Sequence, residues 1–240
     1  MPFHDLSDPP ERALVIVAHP DDIDFGTAGT IARLTKAGTT VSYALVSSGE
    51  AGAPEDMPRT EVAALREREQ RSAAAEVGVS DVIFLRWPDG RIEPTLELRR
   101  DLSRVVRQVR PDLVICQSPE ARWDRIYSSH PDHLAVGRAT MAVLYPDAQN
   151  PHAHPELLAE GLEPHSVPEA WVLGLEPPDV FIDITEVFEA KVAALGSHVS
   201  QTADRFEIDE LLREWAAGIT ERHDLPVGRL TEAFRRISTA

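Results

Sequence analysis

Two short clusters of histidine and aspartate carry the chemistry that this sequence can perform. The first is His19-Pro20-Asp21-Asp22, and the second is His130-Pro131-Asp132-His133. If the fold brings them together, they supply two imidazoles and a carboxylate for a metal ion, and at least one further carboxylate and one further imidazole. Such nitrogen and oxygen ligands suit zinc with an open position for water, and a non-haem iron site uses the same residue types. The clusters therefore predict metal-assisted hydrolysis.

The adjacent carboxylates of Asp21 and Asp22 are expected to have different tasks. Two such groups repel each other unless a cation lies nearby, so a purely structural role leaves the pair unexplained. Neighbouring side chains on an extended chain point in opposite directions, which predicts that one carboxylate joins His19 at the metal while the other faces substrate. The alternative is that one of the two caps the helix that follows.

The second cluster is predicted to lie at the start of a helix. Proline is favoured at the first helical position, so Pro131 makes His130 the cap residue and places His133 in the first turn. The two imidazoles can then converge on one cavity with different functions. Asp132 can take part in this site. Alternatively, it is a surface residue whose negative charge in the first turn is favoured by the helix dipole.

The elements that position these clusters alternate between strand and helix. Apolar runs predict strands at residues 13–18, 40–47, 81–85, 112–116, 171–175 and 180–184. Helical periodicity predicts helices at 27–37, 60–77, 95–110, 133–145, 185–199 and 207–222, with Thr60 as a candidate N-cap. This order indicates an α/β, Rossmann-like, doubly wound and mostly parallel sheet with helices on both faces. Such sheets bind ligands at the carboxyl ends of their strands, where the first cluster falls.

The chain shows no internal repeat and no domain linker. We therefore expect a single domain spanning residues 1–240. Residues 146–168, rich in proline and histidine, are expected to form a long loop that can act as a lid.

The composition limits the kinds of molecule that this protein can bind. The formal net charge of −16 argues against nucleic acid and anionic membranes, which need a basic surface. The single cysteine, Cys116, cannot form an intrachain disulfide, and no apolar run approaches the ~18 residues that a membrane helix needs. Residues 1–11 lack the features of a signal peptide, so we expect a cytoplasmic protein with no membrane partner. Apolar faces on the late helices can pack on the sheet or on a second subunit, which leaves a homo-oligomer open.

The chain resembles the LmbE-like (PIG-L) family of zinc-dependent N-acetylglucosaminyl deacetylases and amidases. The resemblance rests on the two clusters in this order and separation, on the Arg-x-x-Glu helix at residues 66–79, and on residues 191–201, which end in His-x-Ser-Gln. It covers most of the chain. It implies a Zn²⁺-dependent hydrolase that removes an N-acyl group, usually acetyl, from a small amino-sugar substrate.

The resemblance also implies a role for each matching residue. Three residues would ligate zinc: His19, Asp22 and His133. Asp21 would be the general base that deprotonates the attacking water. His130, as an imidazolium, would stabilise the oxyanion or protonate the leaving amine, and Asp132 would hold its tautomer and orientation. Arg66 would bind a sugar hydroxyl or a phosphate.

One departure from the family pattern keeps alternatives open. The family usually has glutamate directly after the Asp-Asp pair, whereas this chain has Ile23 followed by Asp24. A carboxylate partner for the metal-binding histidine is therefore missing or supplied by Asp24. His198 either approaches the pocket or makes only structural contacts. The alternative functions are an amidase for thiol-conjugate or glycopeptide-type amides, and a metal-dependent binding module without turnover.

Overall fold

The chain builds one mixed sheet whose strands alternate with helices. The structure is a computed structural model that describes residues 2–52, 57–203 and 207–239. In those residues the sheet has seven strands. They are β1 (Arg12–Val17), β2 (Thr40–Leu45), β3 (Asp81–Phe84), β4 (Leu113–Gln117), β5 (Glu169–Leu173), β6 (Val180–Asp183) and β7 (Thr231–Ser238).

Helices connect these strands and cover both faces of the sheet. They are α1 (Asp22–Gly26), α2 (Ala28–Lys36), α3 (Arg59–Glu76), α4 (Leu96–Val109), α5 (Pro131–Ala142), α6 (Pro155–Ala159), α7 (Phe188–Gly196), α8 (Val199–Thr202) and α9 (Ile208–Arg222). The helix predicted at 27–37 is thus preceded by a separate short helix that the sequence pattern did not show. Thr60 does not cap α3, because that helix begins at Arg59 after Pro58 and has no side-chain cap.

The strand order is β3-β2-β1-β4-β5-β7-β6. Strands β1 to β5 pair in parallel, whereas β7 runs antiparallel to both β5 and β6. The predicted mostly parallel, doubly wound sheet is therefore confirmed. The strand missing from the prediction is β7, whose apolar pattern is interrupted by Glu232, Arg235 and Arg236. Its fit between β5 and β6 depends on partners that only the fold supplies.

Alternate residues of the central strand feed two separate cores. Ala13, Val15 and Val17 of β1 belong to the core beneath α2, α3 and α7. Leu14 and Ile16 face the opposite core, beneath α4 and α5. All five are fully buried, as expected for a parallel strand covered by helices on both faces. The first cluster begins just after the end of this doubly buried strand.

The segment predicted as a long loop at residues 146–168 is packed against α4. It contains α6, and the Arg99 guanidinium donates to both carboxylate oxygens of Asp147 at 2.8 Å. Buried Arg107 donates to the backbone carbonyls of Asp147, Ala148 and Asn150. These contacts anchor the first part of the segment, and its action as a lid stays a prediction.

Gly49, Gly52, Pro54 and Pro58 predict a loop at residues 48–58, of which residues 53–56 lie outside the described residues. Within the described part of the chain, none of the helices combines the length and apolar character that crossing a bilayer requires.

Candidate active site

The two clusters meet at the point where the strand order reverses. The chain moves outward from β1 to β2 and β3, and then returns to the other side of β1 with β4. Residues 19–22 directly follow β1, and α5 follows the loop that leaves β4. The carboxyl ends of two such neighbouring strands form the crevice in which open α/β sheets bind ligands.

Asp21 has a strained backbone. Its φ of 76° lies in the left-handed region, which costs energy for a residue other than glycine. It occupies the N-cap position of α1 but makes no side-chain cap hydrogen bond, so the capping alternative is wrong for this carboxylate. The turn leaves the backbone N–H of His19 donating to Asp22 Oδ2 at 2.8 Å, which orients that carboxylate.

The second cluster begins α5 as predicted. His130 is the cap residue, Pro131 lies in the first turn, and His130 Nδ1 accepts the backbone N–H of Asp132 at 3.2 Å. The helix sits close to the end of β4 because of Gly137, where a Cβ would lie 2.6 Å from the backbone of Ser118. This close approach brings the start of α5 to the first cluster.

The three residues expected to ligate a metal converge. His19 Nδ1 lies 3.2 Å from His133 Nε2 and 3.4 Å from the nearer oxygen of Asp22. His133 Nε2 lies 3.0 Å from the other oxygen of Asp22. Bonds of about 2.0–2.1 Å in a tetrahedral zinc site place ligand atoms roughly 3.3 Å apart. The donor set therefore fits a small divalent cation such as zinc in both chemistry and spacing.

The second nitrogen of His19 is held by carboxylates. His19 Nε2 lies 3.0 Å from Asp89 Oδ1 and 3.2 Å from Asp132 Oδ2. Asp132 also accepts the backbone N–H groups of Gly90 and Ile92. A metal-binding histidine commonly donates its other N–H to such a carboxylate, which fixes the tautomer.

The carboxylate of Asp132 faces His19 Nε2, so its expected role in holding His130 stays a prediction. The backbone N–H of Asp132 donates to His130 Nδ1 at 3.2 Å. The side chain of Asp132 is almost completely buried, which contradicts the alternative of a surface residue. The geometry assigns this carboxylate to orienting His19.

The carboxylates around His19 make this part of the site strongly anionic, which favours a positive charge there. Burial opposes protonation of His19, but its hydrogen bonds to Asp22 and Asp89 outweigh this effect and raise its pKa to about 10. Burial also opposes ionisation of Asp22, but His133 and His19 lower the pKa of this carboxyl well below its ordinary value. The carboxylates that retain a proton on His19 would equally stabilise a bound cation.

Asp21 lies beside the three candidate metal ligands but has a different environment. Burial and the charge of Asp22 raise its pKa to about 6, against the opposing effect of Arg66. Arg66 Nη2 donates to Asp21 Oδ2 at 3.1 Å and to the backbone carbonyl of Pro20 at 2.9 Å. Two adjacent carboxylates thus have pKa values shifted in opposite directions, which is typical of a pair with separate chemical roles.

The expected role of Arg66 in substrate binding is corrected by these contacts. The residue is 5% exposed, and Nη1 donates to the Gly49 carbonyl at 2.7 Å. Its guanidinium is directed at the protein's own groups and not at open space. Arg66 therefore orients Asp21 and the turn that contains it.

His130 differs from the expected imidazolium. Burial and the positive charges of His19 and His133 lower its pKa. Because Nδ1 accepts a backbone hydrogen bond, a neutral ring carries its proton on Nε2. The arrangement makes His130 a neutral hydrogen-bond donor at the edge of the cluster.

Asp24 does not supply the missing partner of the metal-binding histidine. Its carboxylate is fully buried and lies 2.7 Å from His198 Nε2. Asp24 Oδ2 also accepts from Gln70 Nε2 at 2.9 Å. Asp89 and Asp132 face His19 Nε2 instead. His198 contacts Asp24 inside the protein, behind the site.

Sequence reasoning missed Asp89 and Gln70. Asp89 lies in the turn Trp87-Pro88-Asp89-Gly90 after β3, at the same edge of the sheet as the two clusters. An aspartate at the carboxyl end of a predicted parallel strand was the available signal. Gln70 lies within α3 and offered no signal, because a glutamine on a polar helix is usually exposed.

Comparisons with known proteins agree with this geometry. Diacetylchitobiose deacetylase of Thermococcus kodakarensis is 34% identical over 202 residues, covering 83% of this chain and 72% of the relative. The probable N-acetyl-alpha-D-glucosaminyl L-malate deacetylase 2 of Bacillus anthracis is 31% identical over 218 residues, covering 88% and 89%. The structure of N,N'-diacetylchitobiose deacetylase from Pyrococcus horikoshii matches with a TM-score of 0.88 at 29% identity, covering 98% of this chain and 88% of that one.

A family model points to the same group. The model for PIG-L, described as GlcNAc-PI de-N-acetylase, matches residues 14–144. This range is more than half of the 240 residues and contains both clusters, Arg66 and Asp89. The chain therefore belongs to the PIG-L (LmbE-like) family of deacetylases.

Proposed function

We propose that this protein is a zinc-dependent N-deacetylase that hydrolyses the acetamido group of an N-acetylglucosamine-type sugar or conjugate. The observation that supports this most directly is the convergence of His19, Asp22 and His133 to within 3.0–3.4 Å of one another. These three residues would hold the metal. Deacetylation is also the activity named for both of the curated relatives described above.

The metal and the protein would divide the chemistry. When bound, a divalent cation supplies Lewis acidity, which polarises the amide carbonyl and makes water more acidic. Asp89 and Asp132 keep His19 in the tautomer that presents Nδ1 to the cation, because both carboxylates face Nε2. Two nitrogen ligands and one oxygen ligand match a catalytic zinc site that keeps a fourth position open.

Asp21 is the proposed general base. Its carboxylate accepts a proton from the attacking water and can then deliver it to the leaving amine. The raised pKa of about 6 brings this group closer to neutral pH, where proton transfer in both directions is efficient. Arg66 holds one oxygen of Asp21, which leaves the other oxygen for the water.

His130 is the proposed donor to the developing oxyanion. Its Nδ1 is fixed by the backbone N–H of Asp132, so Nε2–H is the group that points away from α5. A donor placed at an oxyanion is typically worth about 3–4 kcal/mol in the transition state. A neutral donor avoids adding a positive charge beside the cation.

The substrate class comes from the relatives. The relatives are named for diacetylchitobiose and for an N-acetylglucosaminyl malate, which share an acetamido sugar and differ in the attached group. We infer that this chain acts on the same acetamido sugar within a small conjugate.

Metal analysis combined with acetate release tests the proposal. The purified protein is analysed for bound metal and incubated with N-acetylglucosamine, N,N'-diacetylchitobiose and an N-acetylglucosaminyl malate. We expect about one zinc per chain, release of acetate from at least one conjugate, and loss of activity after treatment with a chelator. Zinc added back should restore the activity, and iron(II) is added in parallel to identify the preferred metal.

Two results would overturn the proposal. One is full activity in protein from which the metal has been removed, which would exclude a metal-dependent reaction. The other is zinc-loaded, folded protein that releases no acetate from any of these compounds and binds them without turnover, which would favour a binding module.

A further inference from the structure

A chain of three buried polar side chains runs from the C-terminal part of the molecule to the backbone of Asp21. His198 Nε2 lies 2.7 Å from Asp24 Oδ2, and Gln70 Nε2 donates to the same oxygen at 2.9 Å. The other end of the amide, Gln70 Oε1, accepts the backbone N–H of Asp21 at 3.0 Å. His198, Asp24 and Gln70 are each 0% exposed, so water does not compete for these bonds.

The orientation of each group follows from the one before it. Asp24 Oδ2 can only accept hydrogen bonds when ionised, so it selects the Nε2–H tautomer of His198 and the amino group of Gln70. With its amino group directed at Asp24, Gln70 must present its carbonyl oxygen to Asp21. The carboxylate of Asp24 therefore determines which way the Gln70 amide faces.

Asp21 requires such support because its backbone is left-handed. With a φ of 76°, this residue persists only where surrounding contacts determine its conformation. Arg66 holds the carboxylate of Asp21 from one side, and Gln70 holds its amide from the other. The candidate base is thus fixed at both its side chain and its backbone.

The buried chain carries a cost in stability. Among the described residues, Asp24 Oδ1 and His198 Nδ1 are buried without a hydrogen-bond partner. Unpaired polar atoms in an interior reduce stability, and an apolar replacement of similar volume is often neutral or stabilising. A function other than stability would explain why three polar side chains occupy this part of the core.

We infer that His198, Asp24 and Gln70 form a positioning chain that holds Asp21 in its left-handed conformation for proton transfer. The inference rests on the proposed function, in which Asp21 is the base. None of the three touches the crevice as a ligand of the metal or as a partner of the substrate. They act through Asp21, so they are positioning residues and not catalytic ones.

Four variants test this inference. Gln70→Met removes both hydrogen bonds with little change in volume, and His198→Leu removes the far end of the chain. His198→Gln keeps a donor that can reach Asp24, so it is the rescue variant. Ser200→Ala is the matched control, because its hydroxyl donates to Glu69 and lies in the same C-terminal segment without joining the chain.

We expect kcat to fall while KM and bound metal stay near the wild-type values. A displaced catalytic group costs up to about a hundredfold in rate, so we expect a loss of about 10–100-fold for Gln70→Met and a smaller loss for His198→Leu. His198→Gln should recover most of the rate. Ser200→Ala should keep the wild-type kcat even if its melting temperature falls.

Hydrogen exchange supplies a readout that does not depend on activity. The amide of Asp21 should exchange about tenfold faster in Gln70→Met, since one buried hydrogen bond has been removed, and detectably faster in His198→Leu. Peptides covering residues 19–25 report this rate by mass spectrometry. Protein without deacetylase activity would contradict the proposed function, while this exchange measurement would still test the positioning chain.

Two outcomes would overturn the inference. The first is an equal loss of stability in Gln70→Met, His198→Leu and Ser200→Ala with kcat unchanged in all three, which would indicate a purely structural role. The second is a kcat loss in His198→Leu that His198→Gln fails to recover while exchange at Asp21 is unchanged.

Discussion

The regions before and after residue 144 use their charged side chains differently. In residues 14–144 the charged groups meet around a small space, where His19 Nδ1, His133 Nε2 and Asp22 lie 3.0–3.4 Å apart. In the later region two buried charged groups instead form an ion pair. Lys191 Nζ lies 2.7 Å from Glu232 Oε1, with both side chains at most 4% exposed.

This difference indicates that the first region carries the candidate active site and that the later region supports its structure. Glu232 accepts the backbone N–H groups of Gly29 and Thr30 at the start of α2, and Lys191 also donates to the carbonyl of Phe25 at the end of α1. The later region therefore holds the short helices that follow the first cluster. The first region brings like charges together, whereas the second pairs the buried charge of Lys191 with the opposite charge of Glu232.

The largest effect is expected from the candidate base in the first region. Asparagine tolerates a left-handed backbone, so Asp21→Asn should keep the fold and the metal while removing the proton acceptor. Loss of a general base typically lowers the rate by about 10²–10⁴-fold. Steady-state kinetics, metal analysis and thermal unfolding check this, and activity within a few fold of the wild type would contradict the assignment.

The next effect is expected on stability in the second region. Lys191→Met leaves Glu232 as a buried charge without its cation, and removing one partner of a buried pair costs roughly 3–5 kcal/mol. Urea unfolding measures the free energy of unfolding. Where the variant is still folded, its kcat should equal the wild-type value, because Lys191 lies outside the crevice. A selective loss of kcat would show that the two regions are not separable in this way.

A smaller effect is expected for the carboxylate behind His19. Asp89→Asn weakens the acceptor that faces His19 Nε2 at 3.0 Å, and changes at such positions typically lower metal affinity or activity about 10–100-fold. Competition with a chelator measures the affinity for zinc. The control is Asp124→Asn, since that side chain is 65% exposed and its loss should leave the affinity unchanged.

The smallest effect is expected for an exposed ion pair in the second region. Arg229 Nη1 lies 3.4 Å from Asp183 Oδ2, with side chains 47% and 20% exposed. Exposed pairs of this kind contribute at most about 1 kcal/mol, so Arg229→Met should shift the free energy of unfolding far less than Lys191→Met. Similar losses in the two variants would show that burial does not explain the difference.

The elements around β1 and α5 were predictable because their signals are local. A continuous apolar run marks a strand buried on both faces, and proline after His130 marks a helix start. The strand β7 was missed because its charged residues find their partners in distant segments. Glu232 binds groups of α2 and α7, whereas Arg235 pairs with Asp179 before β6 and Arg236 with Glu169 of β5. Asp89 was missed for a related reason, since the turn after β3 reaches His19 only through the parallel packing of β1, β2 and β3.

The sequence by its own local patterns determined the strand and helix order, the two His and Asp clusters, and the anionic character of the chain. Tertiary structure decided which atoms face each other. It turned Asp132 toward His19, directed Arg66 at Asp21, and joined Asp24 to His198 across 174 positions. Side-chain direction depends on backbone turns such as that at Asp21 and on contacts between distant segments, and neither is encoded in the spacing of residue types.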